Sequence, residues 1–392
     1  MKFLHTSDWH LGAKTNGKDR LDEQKRVLDE ILSIANYENI DCVIVAGDVF
    51  NTANPSADAE ELFFETIEKF SNGGDRFVFV LAGNHDDPTR LAAGLPLAEK
   101  HNIALVSDLN KLNEARFKKN GVVSVVETGK GYLKLKKNEE IVTIAYLPYP
   151  SESRITEKVF DDSEELSYAE KVARWAEIGA GGFDEKGFNV FVSHLFLVGS
   201  KTGTGTVRVG DILAVPSNML PKASYTALGH IHRHQEVAKN MFYSGAITKL
   251  AVSDKELSVI AFESENGVLA SLEKIPLQTP QKYERVVVSS IEEARQKLSE
   301  FDDGDIVELV IKTEVPLSAL ELKQLKKDFA CISTVGIIHG DFDVQETDKK
   351  KRKLMSDAEL FKEFYKKVRG IEPTDDLIQM FVSLKGGEDE TN

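Results

Sequence analysis

A chain of 392 residues, 41% hydrophobic and 29% charged, has the composition of an ordinary soluble globular protein with room for two or three domains. Its formal net charge of -15 excludes a simple nucleic-acid coat. It does not exclude a nucleic-acid enzyme, because divalent metals and local basic faces can hold phosphates where the average charge repels them. The two cysteines, Cys42 and Cys331, each lie in an apolar strand-like run, which predicts buried free thiols in a reducing cytosol. The N-terminus carries neither a long apolar stretch nor a small-residue cleavage site, and no run approaches the length of a membrane span. A cytoplasmic protein without a membrane partner is expected.

In chain order, Lys2-Phe3-Leu4-His5-Thr6 reads as a short strand running into Ser7-Asp8-Trp9-His10-Leu11-Gly12. Residues two apart on extended backbone share a side, so Asp8 and His10 can grip one ion, with Gly12 letting the chain turn away. His5, inside the strand, is expected to be packed and hydrogen-bonded. Residues 19–37 carry Leu21, Val27, Leu28, Ile31, Leu32 and Ala35 at helical spacing, which predicts an amphipathic helix. The almost continuously apolar run 41–46 predicts a buried parallel strand, and it ends at Gly47-Asp48. A helix over 57–70 leads to the run 76–82, rich in strand formers and too short for a typical helix. Gly83-Asn84-His85-Asp86 therefore sits on a loop at a strand's C-terminal end, the edge where open α/β sheets hold ligands. By itself the tetrapeptide reads as a polar turn in which Asn84 and Asp86 bond their own backbone. A βαβαβ pattern with a polar side chain after each strand is hard to obtain from chance turns.

A helix over 89–100 and a strand over 103–106 are predicted next, then a turn-broken, strand-rich stretch over 121–146 that suits a second, more antiparallel sheet. Residues 163–178 read as an amphipathic helix before Phe188-Asn189-Val190-Phe191-Val192-Ser193-His194, another strand ending in a histidine. The run Gly199-Ser200-Lys201-Thr202-Gly203-Thr204-Gly205 lacks the ending and the following helix of a phosphate-cradling loop, so a mobile surface loop is expected. Tyr225-Thr226-Ala227-Leu228 runs into Gly229-His230-Ile231-His232; His234 follows at the same spacing and can simply face solvent. Tyr243-Ser244-Gly245 and strands over 257–262 and 268–275 would complete the second sheet. A boundary is placed near Thr279-Pro280, and 285–338 reads as strand, helix 291–301, strand 306–311, helix 317–329, strand: a small α/β unit. Lys349-Lys350-Lys351-Arg352-Lys353 reads as a solvated linker that could also meet phosphates. Beyond it, Leu360, Phe361, Phe364, Tyr365 and Val368, then after Pro373 Leu377, Ile378, Phe381 and Leu384, form two apolar stripes at helical spacing.

Asp8, His10, Asp48, Asn84, His194, His230 and His232 are thus oxygen and nitrogen donors at strand ends, with no cysteine among them. Such a set suits hard or borderline divalent ions. Seven donors exceed what one tetrahedral zinc accepts and fit two ions, with Asp48 bridging them at ~3.5–4 Å. The chemistry such a pair serves is phosphoester hydrolysis. His85 is kept apart as a non-ligand, because Asn84 takes the coordination place and adjacent side chains on a tight loop diverge. It can then protonate or steady the leaving oxygen.

Together Asp8-Trp9-His10, Gly47-Asp48, Gly83-Asn84-His85-Asp86, the strand-end His194 and Gly229-His230-Ile231-His232 resemble the calcineurin-like metallophosphoesterases. The fuller runs around them, including Gly47-Asp48-Val49-Phe50, His194-Leu195-Phe196 and Ala227-Leu228-Gly229-His230-Ile231-His232-Arg233, look like the SbcD branch of DNA nucleases. The resemblance implies a two-sheet α/β sandwich flanked by helices over 1–279, a small α/β capping domain over 280–345, and a linker with partner-docking helices over 346–392. It implies that Asp8, His10, Asp48 and His232 hold one ion and Asp48, Asn84, His194 and His230 the other, with manganese favoured. It also implies cleavage of DNA ends, hairpins and single strands, an SbcC-type ATPase partner with a coiled coil, and a homodimer. The chain departs from the branch at Asn51, commonly Asp, and at His234, commonly Pro. A phosphodiesterase acting on small nucleotides is the rival enzyme, and a scaffold without metals the rival of another class.

Overall fold

The computed structural model describes residues 1–15, 17–110, 112–118, 121–151, 166–201, 213–249, 252, 256–279, 281–313 and 317–338, with single positions between 362 and 377. Lys2–Thr6, Cys42–Val45, Phe77–Leu81 and Ile103–Val106 pair in parallel, in register Leu4 to Val43 to Val78 to Ile103. The last three are continuously apolar because both faces of the sheet are covered there. Phe3, Ile44, Phe79 and Leu81 face a core shared with a second sheet, while Leu4, Val43, Val45, Val78 and Val80 face Val27, Ile31, Phe63 and Phe70 of two outer helices. Those helices are Leu21–Tyr37 and Ala57–Ser71. The first begins two residues later than expected, because Lys18–Asp19 pairs with Lys14–Thr15 and Asp19 accepts a hydrogen bond from the Leu21 amide.

The second sheet runs, edge to edge, Gln235–Ala238, Met241–Tyr243, Tyr225–Gly229, Phe188–His194, Glu140–Leu147, Tyr132–Lys137 and Ser124–Gly129. The stretch 121–146 pairs antiparallel as expected, but the centre of the sheet is parallel, so the whole is mixed. The helix Tyr168–Ala180, closed at its start by a Ser167–Glu170 capping box, lies in the chain between two of the parallel strands. The expected helix over 89–100 is broken into Pro88–Ala92 and Leu95–Ala98. Gly94 separates the pieces at a point where a β-carbon would meet the Phe64 ring at 2.9 Å, and Pro96 withholds an N–H from a continuous helix.

Ser258–Glu265 and Val268–Pro276 correct the sequence reading: they extend the first sheet, not the second. Ser258–Glu265 lies antiparallel to Lys2–Thr6, with the Phe3 and Phe262 rings stacked at 4.7 Å and the Met1 ammonium donating to the Ser264 carbonyl. Alternating apolar residues show that a strand is half or fully buried; they do not show which of two sheets has an open edge.

Tyr283–Val288, Ile306–Lys312 and Ile332–Ile338 form a separate three-stranded parallel sheet in chain order. Helices Ile291–Leu298 and Ala319–Asp328 close its own core of Val286, Leu298, Leu309, Ile311 and Leu325. This is the α/β unit that the sequence predicts, with helices shorter than expected. Cys42 and Cys331 are buried free thiols. Most of the loop 199–205, the start of the helix expected at 163, the basic run 349–353 and the two tail helices fall outside the described residues, single positions apart. Among the described residues no helix is long and apolar enough to cross a membrane.

One buried cation ties this layer together. Arg76 donates to the Ile40, Phe70 and Ala35 carbonyls and to the Asn36 amide oxygen, closing the C-terminal ends of both outer helices at the start of the strand Phe77–Leu81. Replacing it leaves several buried acceptors unpaired. Arg76→Met is expected to lower the unfolding free energy by about 2–4 kcal/mol. Urea unfolding measures this, and a midpoint equal to that of the unchanged chain contradicts it.

Candidate active site

Five parallel strands point their C-terminal ends at one place. Lys2–Thr6 delivers Asp8 and His10, Cys42–Val45 delivers Asp48, and Phe77–Leu81 delivers Asn84 and His85. From the second sheet, Phe188–His194 ends on His194 itself and Tyr225–Gly229 leads to His230 and His232. The backbone at these ends is not extended, contrary to the simple two-apart argument for Asp8 and His10. Asp8, His10, Asp48 and His230 have φ of 53°, 46°, 49° and 96°. Left-handed geometry in non-glycine residues costs free energy and collects at functional sites. Here a ladder continued past the strands holds it: the Asp8, His10 and Leu11 amides donate to the Gly47, Asp48 and Val49 carbonyls at 2.9–3.0 Å.

The side chains form two groups joined at Asp48. His10 and His232 face each other, Nε2 to Nε2 at 3.0 Å, with Asp8 Oδ1 3.8 Å from His232 Nε2. On the other side Asn84 Oδ1 lies 3.0 Å from His194 Nε2 and 2.8 Å from His230 Nδ1. Asp48 Oδ2 stands 3.6 Å from His10 Nε2 and 3.3 Å from His194 Nε2, so one carboxylate borders both groups. Its Oδ1 accepts the His85 amide at 2.9 Å. All seven predicted donors and His85 are brought together. His234 is partly buried and stands outside the described donor groups.

Burial and mutual charge set the protonation of the cluster. Burial alone would push the Asp48 carboxyl up, but His194 and His10 beside it hold it well below the usual carboxylate range. His194 shows the counterpart: burial pushes it down, the Asp48 carboxylate outweighs that, and it rises to about 9. His10 and His230 are pushed down to about 3, chiefly by burial. Burial also raises Asp8, against the pull of His232 and His194.

The donors fit divalent ions. Two imidazole nitrogens face one another beside two carboxylates, and among the described residues His10 Nδ1 and His232 Nδ1 are buried without a hydrogen-bond partner. Asp8, His10 and His232 have ligand atoms within 4.8 Å of one another, as do Asp8, Asp48 and His194. The same holds for His10, Asp48 and His85, so distance alone also permits His85 as a ligand. A cation between such groups takes up the lone pairs of the facing Nε2 atoms and balances the charge of the carboxylates.

Several supporting residues escape a sequence reading. Asp86 does more than bond its own turn: its buried carboxylate accepts from Gly83 at 2.8 Å and, across to the next loop, from Val49 at 3.1 Å and Phe50 at 2.9 Å. Burial, with the Asp48 charge second, raises it to about 6. Gln24 donates to the Trp9 and His10 carbonyls at 3.2 and 2.8 Å and accepts from Gly12 at 3.0 Å. Its signal in the sequence is a polar residue within the apolar stripe of its helix. Tyr149 stacks on His230 with ring centroids 6.0 Å apart. The Asn51 departure acquires a simple meaning: it is the main-chain carbonyl of Asn51 that lies 2.8 Å from His85 Nδ1, an atom every residue supplies.

The family pattern described as Calcineurin-like phosphoesterase matches residues 1–234. Over 409 aligned residues the chain is 30% identical to the D subunit of the nuclease SbcCD of Bacillus subtilis (strain 168), covering 100% of this chain and 99% of that one. Among solved structures, a dimetal phosphatase from Danio rerio is 11% identical, covering 72% of this chain and 99% of its own at a TM-score of 0.40. A hypothetical protein from Thermus thermophilus is 15% identical, covering 71% of this chain and 100% of its own at a TM-score of 0.37. At those TM-scores neither adds to the assignment. The chain belongs to the calcineurin-like phosphoesterase family. It is a metal-dependent phosphodiester hydrolase.

Close packing around Asp48 generates a test. A β-carbon on Gly83 would lie 2.1 Å from Asp48 Oδ1 and 2.2 Å from its amide nitrogen. Gly83→Ala must therefore move Asp48 or its loop, and is expected to cost about 1–3 kcal/mol. Denaturant unfolding of the metal-free chain reads the cost, and an unshifted midpoint would show that the loops yield freely.

Proposed function

We propose that this chain is a dimetal DNA nuclease subunit. Asp8, His10, Asp48 and His232 hold one ion, Asp48, Asn84, His194 and His230 the second, and manganese is the metal. The observation that carries the reading is the Asp48 carboxylate, bordering His10 on one side and His194 on the other. When bound, two divalent ions supply a nucleophile at neutral pH and neutralise phosphate charge.

The chain's own groups do the rest. His85 Nδ1 donates to the Asn51 carbonyl, which fixes the ring, and Nε2 of the doubly protonated ring would be the nitrogen that gives a proton to the leaving oxygen. Asp86 ties the loop carrying Asn84 and His85 to the loop carrying Asp48, so acid and ligands keep one spacing. The leaving oxygen of a phosphodiester is poor without such a proton. His85→Ala is expected to slow cleavage by about 10²–10⁴ while metal and DNA still bind. Cleavage at the unmodified rate would show that His85 has no part in the chemistry.

Two observations support DNA over a small nucleotide. The B. subtilis protein to which the chain is similar along its whole length is named a nuclease subunit. A cleft of about 570 Å³ is lined by Arg233, Lys249 and Lys274 against one acid, Glu256, which pairs with Lys274 at 2.9 Å, in a chain of net charge -15. Local cations of that kind serve a polyanion. The domain division 1–279, 280–345 and 346–392 fits a catalytic body, a cap that presents double-stranded ends, hairpins or single strands, and a docking tail. DNA repair and recombination in the cytoplasm is the setting this implies. Manganese-dependent cleavage of a labelled DNA hairpin, with no hydrolysis of a cyclic nucleotide, is the expected outcome. The reverse preference would establish the small-nucleotide reading.

The partner assignments extend the same reading. Phe64 and Leu97 are exposed on helices Ala57–Ser71 and Leu95–Ala98, which supports a homodimer through that face. The apolar stripes of the tail, Leu360 to Val368 and Leu377 to Leu384, suit an SbcC-type ATPase's coiled coil. A chain ending after Gln345 should fold and cleave hairpins yet fail to capture that ATPase in a pull-down. Undiminished capture would refute the docking role.

A further inference from the structure

We infer that Tyr283 is a positioning residue that couples the C-terminal α/β unit to the Asp8, His10 and His232 half of the active site. The inference rests on the two-ion reading above.

Tyr283 opens the first strand of the C-terminal sheet, but its side chain belongs to the catalytic body. Its hydroxyl donates to the Glu23 carboxylate, 2.9 and 3.0 Å from the two oxygens, and accepts from Arg20 Nη2. The Arg20 guanidinium and the Lys249 ammonium each lie 5.6 Å from the centroid of its ring. Arg20 and Glu23 are buried and paired to each other at 2.8 Å. A tyrosine that satisfies a buried ion pair with its hydroxyl and contacts two cations with its ring has little freedom to move alone.

The two segments that hold Tyr283 continue within a few residues to different members of one donor group. Glu23 is followed by Gln24, whose side chain holds the Trp9 and His10 carbonyls and the Gly12 amide. Gln24 is fully buried and supports a residue, His10, held at a positive φ of 46°. Lys249 ends a run, Ser244 to Thr248, in which every residue is buried. Within that run Ser244 Oγ lies 2.8 Å from Ser7 Oγ, which donates to Asp8 Oδ2, and the Ala246 amide donates to the His232 carbonyl at 3.1 Å. Asp8, His10 and His232 are one of the three donor groups of the site. Two separate arms therefore run from one tyrosine to all three members of one group. Asn84 and His194 have their contacts from elsewhere, among them the Ala46 carbonyl, which accepts from His194 Nδ1; His230 stacks on the Tyr149 ring, and only its amide touches the other group, donating to Asp8 Oδ1 at 3.0 Å.

Where the C-terminal unit sits thus bears on how well one ion is held and much less on the other. Groups bonded directly to ligands typically change metal affinity about 10- to 100-fold, and Tyr283 acts at a further remove, through Glu23 and Lys249 and the chain beside them, so about three- to tenfold is expected.

The test uses the full chain, wild type, Tyr283→Phe and Tyr283→Leu, titrated with manganese and read as free ion by electron paramagnetic resonance. Two ions should bind the wild type. Tyr283→Leu should weaken one of them about three- to tenfold and leave the other within about twofold, with Tyr283→Phe, which keeps the ring, in between. Two unchanged affinities in both variants would overturn the coupling. So would an equal loss at both sites accompanied by a lower unfolding midpoint of the metal-free chain, which marks a merely structural residue. A wild type that binds no pair of ions would instead overturn the two-ion reading, and the coupling with it.

Discussion

A buried carboxylate between two imidazoles is the constraint that the rest of the molecule serves. Asp48 is 2% exposed, and a charge withdrawn from water that far must be met by opposite charge or by hydrogen bonds. Both occur. His194 is pushed up to about 9 by Asp48, while the His85 amide donates to the second oxygen. A divalent ion on either side supplies the same compensation more strongly, which is why a cluster held together by internal charge in the free chain is also one prepared for metals.

Fold and site are linked through backbone geometry. The donors arrive on strand ends from two sheets, and their loops approach too closely to admit side chains at the crossing points. A β-carbon on Gly229 would meet the Ala46 carbonyl at 2.0 Å and His194 Nδ1 at 2.6 Å. Left-handed turns at Asp8, His10, Asp48 and His230 then aim the donors inward. Such strain persists only where its surroundings hold it, and Gln24, Asp86 and the ladder past the strands do so.

The sequence made much of this legible, for identifiable reasons. Continuous apolar runs ending in Gly47-Asp48, Gly83-Asn84 and Gly229-His230 gave both the parallel strands and the donor set, since burial on two faces and a polar end leave a local mark. His5 behaves as expected of a packed residue, fully buried with its Nδ1 3.0 Å from the Tyr225 hydroxyl. Less legible were features decided at a distance. Ser258–Glu265 joins the first sheet because the edge beside Lys2–Thr6 is open, and that edge is not written in its own residues. Asp86 and Gln24 support the site through backbone groups of other loops, so their neighbours in the chain give no hint of which groups they hold, although Gln24 stands out as a polar residue in an apolar stripe. The Tyr283 contacts join residues some 260 apart in sequence, beyond any periodicity.

Asp48 is the group proposed to be shared by two ions, and metal counting tests that role most directly. Purified chain loaded with manganese and freed of excess should carry two ions per chain, and Asp48→Asn, which keeps the shape and removes the charge, should lose both. Two tightly held ions in Asp48→Asn would contradict the shared carboxylate.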